Sequence, residues 1–392
     1  MRNKKLAPGI LSIQLLVLMS YSSVAMLILL SVYFKHLGGS PRQIGFLLGI
    51  FSLSAFLSRP FVGWLLSKYN PRKVVVAGLI LVLIMTAMYL FIQELNWFVV
   101  FIRILHGFGF SVFILAALLI AVLITREEER AYAIGVVSTG FMLPLLVVPF
   151  MGEGIIERFG FSPFFLCAVF LAAIPLVFGL FWKVKLPRFP EDSEIKSVGF
   201  LRLLKQRRIF LIFFLTLIFE TGLSSSLSFV PLLAHGESPM WAGYFYTFLS
   251  LTAVFMRLYG GKRFVFWGSP RSLLPAFYFI SGGGVLIYFA SNNILLGLSG
   301  VIWGIGVGIL YPHLTALVVE GVPFREHGKV LSLFASSVDL GFAFGPLLFG
   351  WVSQYFGLRD SFIIFALFVF LSSSALILWG KSYLLKKLKK GT

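Results

Sequence analysis

Apolar residues fill almost the whole chain in long stretches that short polar segments separate. A helix rises 1.5 Å per residue, so about 20 apolar residues cross the roughly 30 Å hydrocarbon core of a bilayer. The stretches lack the two-residue alternation of barrel strands. The pattern predicts an all-α membrane protein with twelve transmembrane helices, over residues 10–34, 44–66, 73–92, 97–124, 131–157, 162–183, 208–234, 241–263, 272–291, 294–319, 328–356 and 361–385.

The composition agrees with a membrane protein. Of the 392 residues, 59% are hydrophobic and only 12% are charged, which excludes soluble globular and disordered classes. The net charge of +18 does not indicate nucleic-acid binding, because the lysines and arginines lie at the ends of apolar stretches. The single cysteine, Cys167, lies in an apolar stretch and predicts neither a disulfide nor a metal site. No nucleotide-binding motif is present, so ATP-driven pumping would need another chain. We expect no cofactor.

The basic residues also predict the orientation. With twelve crossings, both termini and every second loop lie on one side of the membrane. That side receives most of the 33 lysines and arginines, and such loops face the cytoplasm. We therefore expect both termini in the cytoplasm, in a cell membrane of the bacterial inner-membrane type. The N-terminus begins with basic residues and continues with apolar ones, as a signal peptide does. We interpret it as the first membrane helix and not as a signal peptide.

A polar segment divides the chain into two halves. Residues 183–208 contain two prolines, an acidic patch and many basic residues, as a cytoplasmic linker does. The halves match weakly at an offset of 198 residues, where Arg59 corresponds to Arg257 and Gly152 to Gly350. We therefore expect two pseudo-symmetric six-helix bundles. The predicted domains are an N-terminal bundle at 1–185, a linker at 186–207 and a C-terminal bundle at 208–392.

Three motifs resemble the major facilitator superfamily over essentially the whole chain. The loop after the second helix reads GWLLSKYNPRK, from Gly63 to Lys73, and resembles the family's G-x-x-x-D-R/K-x-G-R/K-R/K signature. The fourth helix carries Arg103-Ile-Leu-His-Gly-Phe-Gly109, and the eleventh carries Gly345-Pro346. The resemblance implies two bundles that close alternately around a site at the middle of the membrane.

The resemblance also implies a gating role for the loop residues Gly63, Lys68, Arg72 and Lys73. Simple positive-inside topology explains these basic residues equally well. The family's acidic residue is replaced by Ser67, which can cap a helix but cannot pair with an arginine. Arg59 and Arg257, at the predicted cytoplasmic ends of their helices, are interpreted as snorkelling to lipid phosphates.

Several ionisable residues fall inside predicted spans, where a charge costs about 2.5–3.5 kcal/mol. Arg103 and His106 lie three residues apart on one helical face and are candidates to line the cavity. The alternative is structural, an Arg103–Glu153 pair that holds two helices together.

Glu220, near the middle of the seventh helix, is a candidate proton carrier, because a carboxyl group in a dry site can take up and release a proton. Serines follow it, and their hydroxyls can instead bond the backbone carbonyl four residues earlier. The remaining candidates for substrate or proton binding are Asp339, Gln14, Tyr21, Tyr311 and His313, for which an interhelical hydrogen bond is the commoner role.

Together these features predict a monomeric secondary active transporter that has no enzymatic activity. We expect proton-coupled efflux of a drug-like compound or metabolite, with uptake of an organic anion or sugar as the alternative. The expected partners are a small-molecule substrate, protons and the lipid bilayer. A membrane-embedded enzyme is the rival class. Such an enzyme needs a cluster of ionisable residues, whereas here they are scattered singly along the helices. A membrane scaffold or sensor without catalytic activity is a third possibility.

Overall fold

The computed structural model describes residues 8–126, 129–182, 184, 203–236, 240–260, 272–320, 322 and 327–385. Helices dominate these residues. We number the α-helices α1 (Pro8–Met26), α2 (Leu30–His36), α3 (Pro41–Lys68), α4 (Pro71–Met88), α5 (Trp97–Leu123), α6 (Arg130–Ser138), α7 (Val148–Phe159), α8 (Phe161–Phe181), α9 (Arg207–Gly236), α10 (Ala242–Phe255), α11 (Leu273–Phe289), α12 (Asn293–Val319), α13 (His327–Phe356) and α14 (Leu358–Leu385).

Each of the twelve predicted spans is occupied by helix. Within the described residues, ten helical segments are long and apolar enough to cross a membrane, and α11 is a shorter apolar helix. The remaining span holds α10 and the turn that follows it. The predicted all-α membrane fold is therefore confirmed.

Several spans are less regular than the sequence predicts. In the first, a 3₁₀ turn at Leu27–Leu29 separates α1 from α2. In the fifth, two 3₁₀ segments, Thr139–Phe141 and Leu143–Leu146, interrupt the helix predicted over 131–157. Pro144 lies in the second of these segments, and a proline cannot donate the backbone hydrogen bond that an α-helix requires.

The eighth span departs most from a regular helix. After α10 the chain forms a π-helical turn over Met256–Gly260, which includes Arg257. The end of the predicted span, at 261–263, lies outside the described residues. Single π turns inside α-helices are often found at functional sites.

Local signals in the sequence set several helix boundaries. Asn70, Asn96 and Asn292 cap α4, α5 and α12, and each side chain accepts a backbone N–H at 2.9 Å. Gly160 and Gly357 separate α7 from α8 and α13 from α14, with φ of 82° and 84°. Both glycines adopt a backbone conformation with positive φ, which glycine tolerates best.

The described residues divide into two compact units. The first contains residues up to Gly39 and from Ile50 to Val184, and the second contains Ser40–Gly49 and the residues from Leu203 onward. The start of α3 therefore groups with the second unit, because Gly45 and Gly49 pack closely on the backbone of α13. The predicted linker at 186–207 lies largely outside the described residues, and the predicted domain division stays a prediction.

Small residues bring the helices together inside each unit. In the first unit, a Cβ on Gly107 of α5 would meet the carbonyl oxygen of Phe51 on α3. In the second unit, a Cβ on Gly300 of α12 would meet the carbonyl oxygen of Phe245 on α10. Close approach of this kind is how helices associate in lipid, where burial of apolar surface does not drive them together.

We expect Gly300→Ala to destabilise the protein by about 1–3 kcal/mol, because the new methyl group meets backbone that cannot move aside. Gly135→Ala is the matched control, since nothing lies within 4 Å of a Cβ at that exposed position on α6. The control should leave Tm unchanged or raise it. Thermal unfolding of the purified protein in detergent measures both, and an equal Tm for the two variants would contradict the packing argument.

Candidate functional site

The first candidate site lies in the first unit, where α5 carries Arg103 and His106. Their side chains are only 6% and 1% exposed. Tyr89, in the 3₁₀ turn after α4, connects them through its hydroxyl. That hydroxyl accepts a hydrogen bond from Arg103 Nη1 at 3.3 Å and lies 3.3 Å from His106 Nδ1. The structure therefore brings the two predicted residues together.

Aromatic rings enclose this Arg103–Tyr89–His106 cluster. The guanidinium of Arg103 lies 4.7 Å from the centre of the Phe51 ring, and His106 meets the same ring edge-on at 5.2 Å. Tyr89 stacks on Phe165 of α8 at 5.9 Å. His106 Nε2 is buried and has no hydrogen-bond partner among the described residues. The cluster thus stabilises a cation inside the first unit by a hydrogen bond and a cation–π contact.

Glu153, on α7, is fully buried in the same unit. The predicted pair between Arg103 and Glu153 stays a prediction, as does a cavity-lining role for Arg103 and His106. Tyr89 was not among the sequence candidates. Its hydroxyl contacts Arg103 and His106 of α5. The spacing of residues along α4 does not predict a contact with another helix.

The second candidate site lies in the second unit and contains more charge. Glu220 of α9 is 2% exposed, and Arg257 and Asp339 are both close enough to act on its charge. The guanidinium of Arg257 lies over the ring of Tyr311 on α12, 5.4 Å from its centre. We call these four residues, Glu220, Arg257, Tyr311 and Asp339, the amphoteric cluster.

The position of Arg257 corrects the sequence analysis. Its Nε atom is buried and has no hydrogen-bond partner among the described residues. A side chain that snorkels to lipid phosphates exposes its nitrogen atoms, so that interpretation is wrong for Arg257. Snorkelling follows from a regular helix that continues to residue 263, whereas Arg257 lies in the π-helical turn.

Close packing of α13 on α9 supports the amphoteric cluster. A Cβ on Gly341 would meet the Glu220 side chain, and Ser224 Oγ donates to the Gly341 carbonyl at 3.0 Å. Ser225 Oγ instead donates to the carbonyl of Thr221, four residues earlier, at 2.6 Å. This is the local bond predicted as the alternative role of these serines.

Other predicted site residues make ordinary interhelical or local contacts. Gln14 Nε2 donates to Thr139 Oγ1 at 2.8 Å, and the ring of Tyr21 meets that of Phe141 at 5.1 Å. His313 Nδ1 lies 2.9 Å from the carbonyl oxygen of Ile309, four residues earlier. Cavity-lining roles for these residues stay predictions.

Most of the predicted gating loop is helical, since only Tyr69 and Asn70 separate α3 from α4. Asn70, and not Ser67, caps α4, while the Ser67 hydroxyl donates to the Trp64 carbonyl at 2.8 Å. Arg72 Nη2 donates to the Leu180 carbonyl at 2.9 Å, and the Lys68 ammonium lies 4.6 Å from the Trp64 ring centre. A Cβ on Gly63 would meet nothing within 4 Å, and Lys73 lies in the first turn of α4. A gating role for these residues stays a prediction.

The second unit also contains a small cavity of about 10 Å³ between α9, α11, α12 and α14. Its lining is largely apolar and includes Ser226, Trp303 and Phe362. Because it holds no ionisable group, the two charged clusters are the stronger candidates for a functional site.

These features define a polytopic helical membrane protein that holds ionisable side chains within its helical units. The sequence profile of the Major Facilitator Superfamily matches residues 10–335 and, in a second match, residues 266–390. The chain belongs to this superfamily.

Similar proteins include bacterial exporters. The Staphylopine export protein of Staphylococcus aureus is 23% identical over 372 residues, which cover 92% of this chain and 93% of that protein. The Multi-drug resistance efflux pump PmrA of Streptococcus pneumoniae is 26% identical over 349 residues, covering 84% and 85%.

Solved structures show the same fold. The nucleoside transporter NupG superimposes with a TM-score of 0.77 at 15% identity, over 96% of this chain and 100% of that one. The human organic anion transporter MFSD10 gives a TM-score of 0.69 at 19% identity, over 94% and 98%.

We expect Tyr89→Phe to destabilise the protein by about 1–3 kcal/mol, because it removes the hydroxyl that Arg103 and His106 share in a buried site. Tyr278→Phe is the control, since Tyr278 is 41% exposed on α11. Unfolding of both variants in detergent measures the difference. If Tyr89→Phe unfolds at the wild-type temperature, the shared hydroxyl does not stabilise the cluster.

Proposed function

We propose that this protein is a secondary active transporter that exports a small organic solute in exchange for protons. It acts as a monomer in the cell membrane, of the bacterial inner-membrane type, with both termini in the cytoplasm. The solute is a drug-like compound or a metabolite. Membership of the superfamily and the names of the two bacterial relatives support transport and export.

The observation that carries proton coupling is the burial of Glu220. A carboxyl group surrounded by helices in lipid is costly to ionise, so it exchanges protons in response to what lies beside it. Arg257 and Asp339 act on Glu220 with opposite charges. Movement or neutralisation of either neighbour would therefore change how tightly Glu220 holds its proton.

The first cluster supports a different role. Arg103 is already bonded to Tyr89 and covered by Phe51. We assign it to holding α3, α4 and α5 together, and assign solute and proton exchange to the amphoteric cluster.

The expected phenotype of Glu220→Gln is loss of proton-driven export, because glutamine keeps the size of the side chain but cannot bind or release a proton. In an efflux-deficient bacterial host, the wild-type chain should lower accumulation of ethidium, and a protonophore should restore it. Cells with Glu220→Gln should accumulate dye as cells without the protein do. Glu157→Gln, at an exposed carboxylate on α7, is the control and should export normally.

Two results would overturn the proposal. Export by Glu220→Gln at the wild-type rate would remove Glu220 from the coupling mechanism. Faster dye entry into proteoliposomes under an inward proton gradient would indicate uptake, the alternative direction.

A further inference from the structure

The core of the second unit contains a tryptophan that lies between three helices. Trp303 of α12 is only 2% exposed. One end of its indole ring lies against Gly283 of α11, where a Cβ would meet Cδ1 at 2.5 Å and Nε1 at 3.0 Å. The other end lies near Gly222 of α9, where a Cβ would be 3.6 Å from Cη2. The indole therefore fills the space that these two glycines leave between α9, α11 and α12.

The N–H group of this indole has no acceptor within the described protein. Trp303 Nε1 is buried and has no hydrogen-bond partner among the described residues. Nε1 is the only polar atom of a tryptophan side chain, and it can only donate. Buried donors are nearly always paired, either with protein groups or with ordered water. Since the described protein groups supply no acceptor, the unpaired N–H points to water.

The small cavity of the second unit borders the same ring. Its lining includes Trp303 of α12 together with Gly222 and Ser226, which lie one turn apart on α9. The cavity has a volume of about 10 Å³. A cavity needs about 10–15 Å³ to hold a water molecule. The space therefore suits one water molecule and is too small for an organic solute.

Ser226 gives the cavity a second polar side chain. Ser226 is 4% exposed, and a serine hydroxyl can both donate and accept a hydrogen bond. The remaining lining is apolar and includes Ile280, Phe362 and Val369. A cavity with apolar walls alone stays dry, whereas a buried water needs two to four polar partners. The indole N–H and the serine hydroxyl supply two such partners.

We propose that this cavity is a binding site for one structural water molecule. The water accepts a hydrogen bond from Trp303 Nε1 and donates one to Ser226 Oγ. It thereby connects α12 to α9 through the core of the second unit and supplies the acceptor that the buried indole lacks.

The water site is separate from the amphoteric cluster. Glu220 packs against Gly341 of α13, whereas the cavity lies between α9, α11, α12 and α14. The two features therefore lie on different sides of α9, and the water site does not depend on the proposed function.

Radiolytic labelling of the purified full-length protein in detergent tests for the water directly. An X-ray pulse converts water into hydroxyl radicals, which oxidise the side chains beside them. A water molecule next to the indole should therefore label Trp303, although bulk solvent does not reach it. Tyr246, which is fully buried on α10 and does not line the cavity, is the control and should stay unlabelled. In Ser226→Ala the water loses a partner, so labelling of Trp303 should fall about twofold or more.

The thermal stability of Ser226→Ala separates a hydrated cavity from a dry one. With the water in place, alanine removes one of its hydrogen bonds, and Tm should fall by about 1–2 °C. In a dry cavity the hydroxyl faces no partner across the cavity, so alanine leaves Tm unchanged or raises it. Ser225→Ala is the matched control, because that hydroxyl bonds the Thr221 carbonyl of its own helix, and it should keep or slightly raise Tm.

Three results would overturn the inference. Labelling of Trp303 no stronger than that of Tyr246 would show that no water lies beside the indole. Equal labelling of Trp303 in the wild type and in Ser226→Ala would contradict the bond to the serine hydroxyl. A Tm of Ser226→Ala at or above the wild-type value would show that the cavity is dry.

Discussion

The cost of holding ionisable side chains inside helices that lipid surrounds is the constraint on which both clusters depend. A charge at the centre of a membrane helix costs about 2.5–3.5 kcal/mol, so each one is found with neighbours that offset the cost. Arg103 is stabilised by the Tyr89 hydroxyl and the Phe51 ring. Arg257 has the Tyr311 ring and the charge of Glu220, but its Nε is unpaired among the described residues. The first cluster therefore pairs its cation within the protein, whereas the second leaves one buried donor of its cation without a hydrogen bond among the described residues.

Close helix packing makes this arrangement possible. Gly341 and Gly345 let α13 approach Glu220 and Ser224 so closely that the side chain of an alanine would not fit. This approach brings the backbone of α13 next to the Cβ of Glu220 and helps to bury that side chain. The same glycines that associate the helices therefore also cover Glu220.

Hydropathy alone predicts the spans, because the thickness of the bilayer dictates their length whatever their packing. It predicts Arg103 and His106 as neighbours for a similar reason, since their spacing of three is a property of one helix. Tyr89 and Arg257 are different. Tyr89 reaches the cluster from another helix, and Arg257 lies in a turn that is not α-helical, so neither position follows from periodicity. The fifth span shows the same limit, because its 3₁₀ segments around Pro144 break the assumed helix.

The π-helical turn has a consequence for comparing this chain with its relatives. An i→i+5 turn holds one residue more than an i→i+4 turn. A related sequence that closes Met256–Gly260 as an ordinary helix would show a one-position gap there in an alignment. Each residue of an α-helix accounts for about 100° of rotation, so an alignment without that gap would compare residues that differ in facing by about that angle. The gap thus marks, from sequence alone, which relatives share the geometry around Arg257.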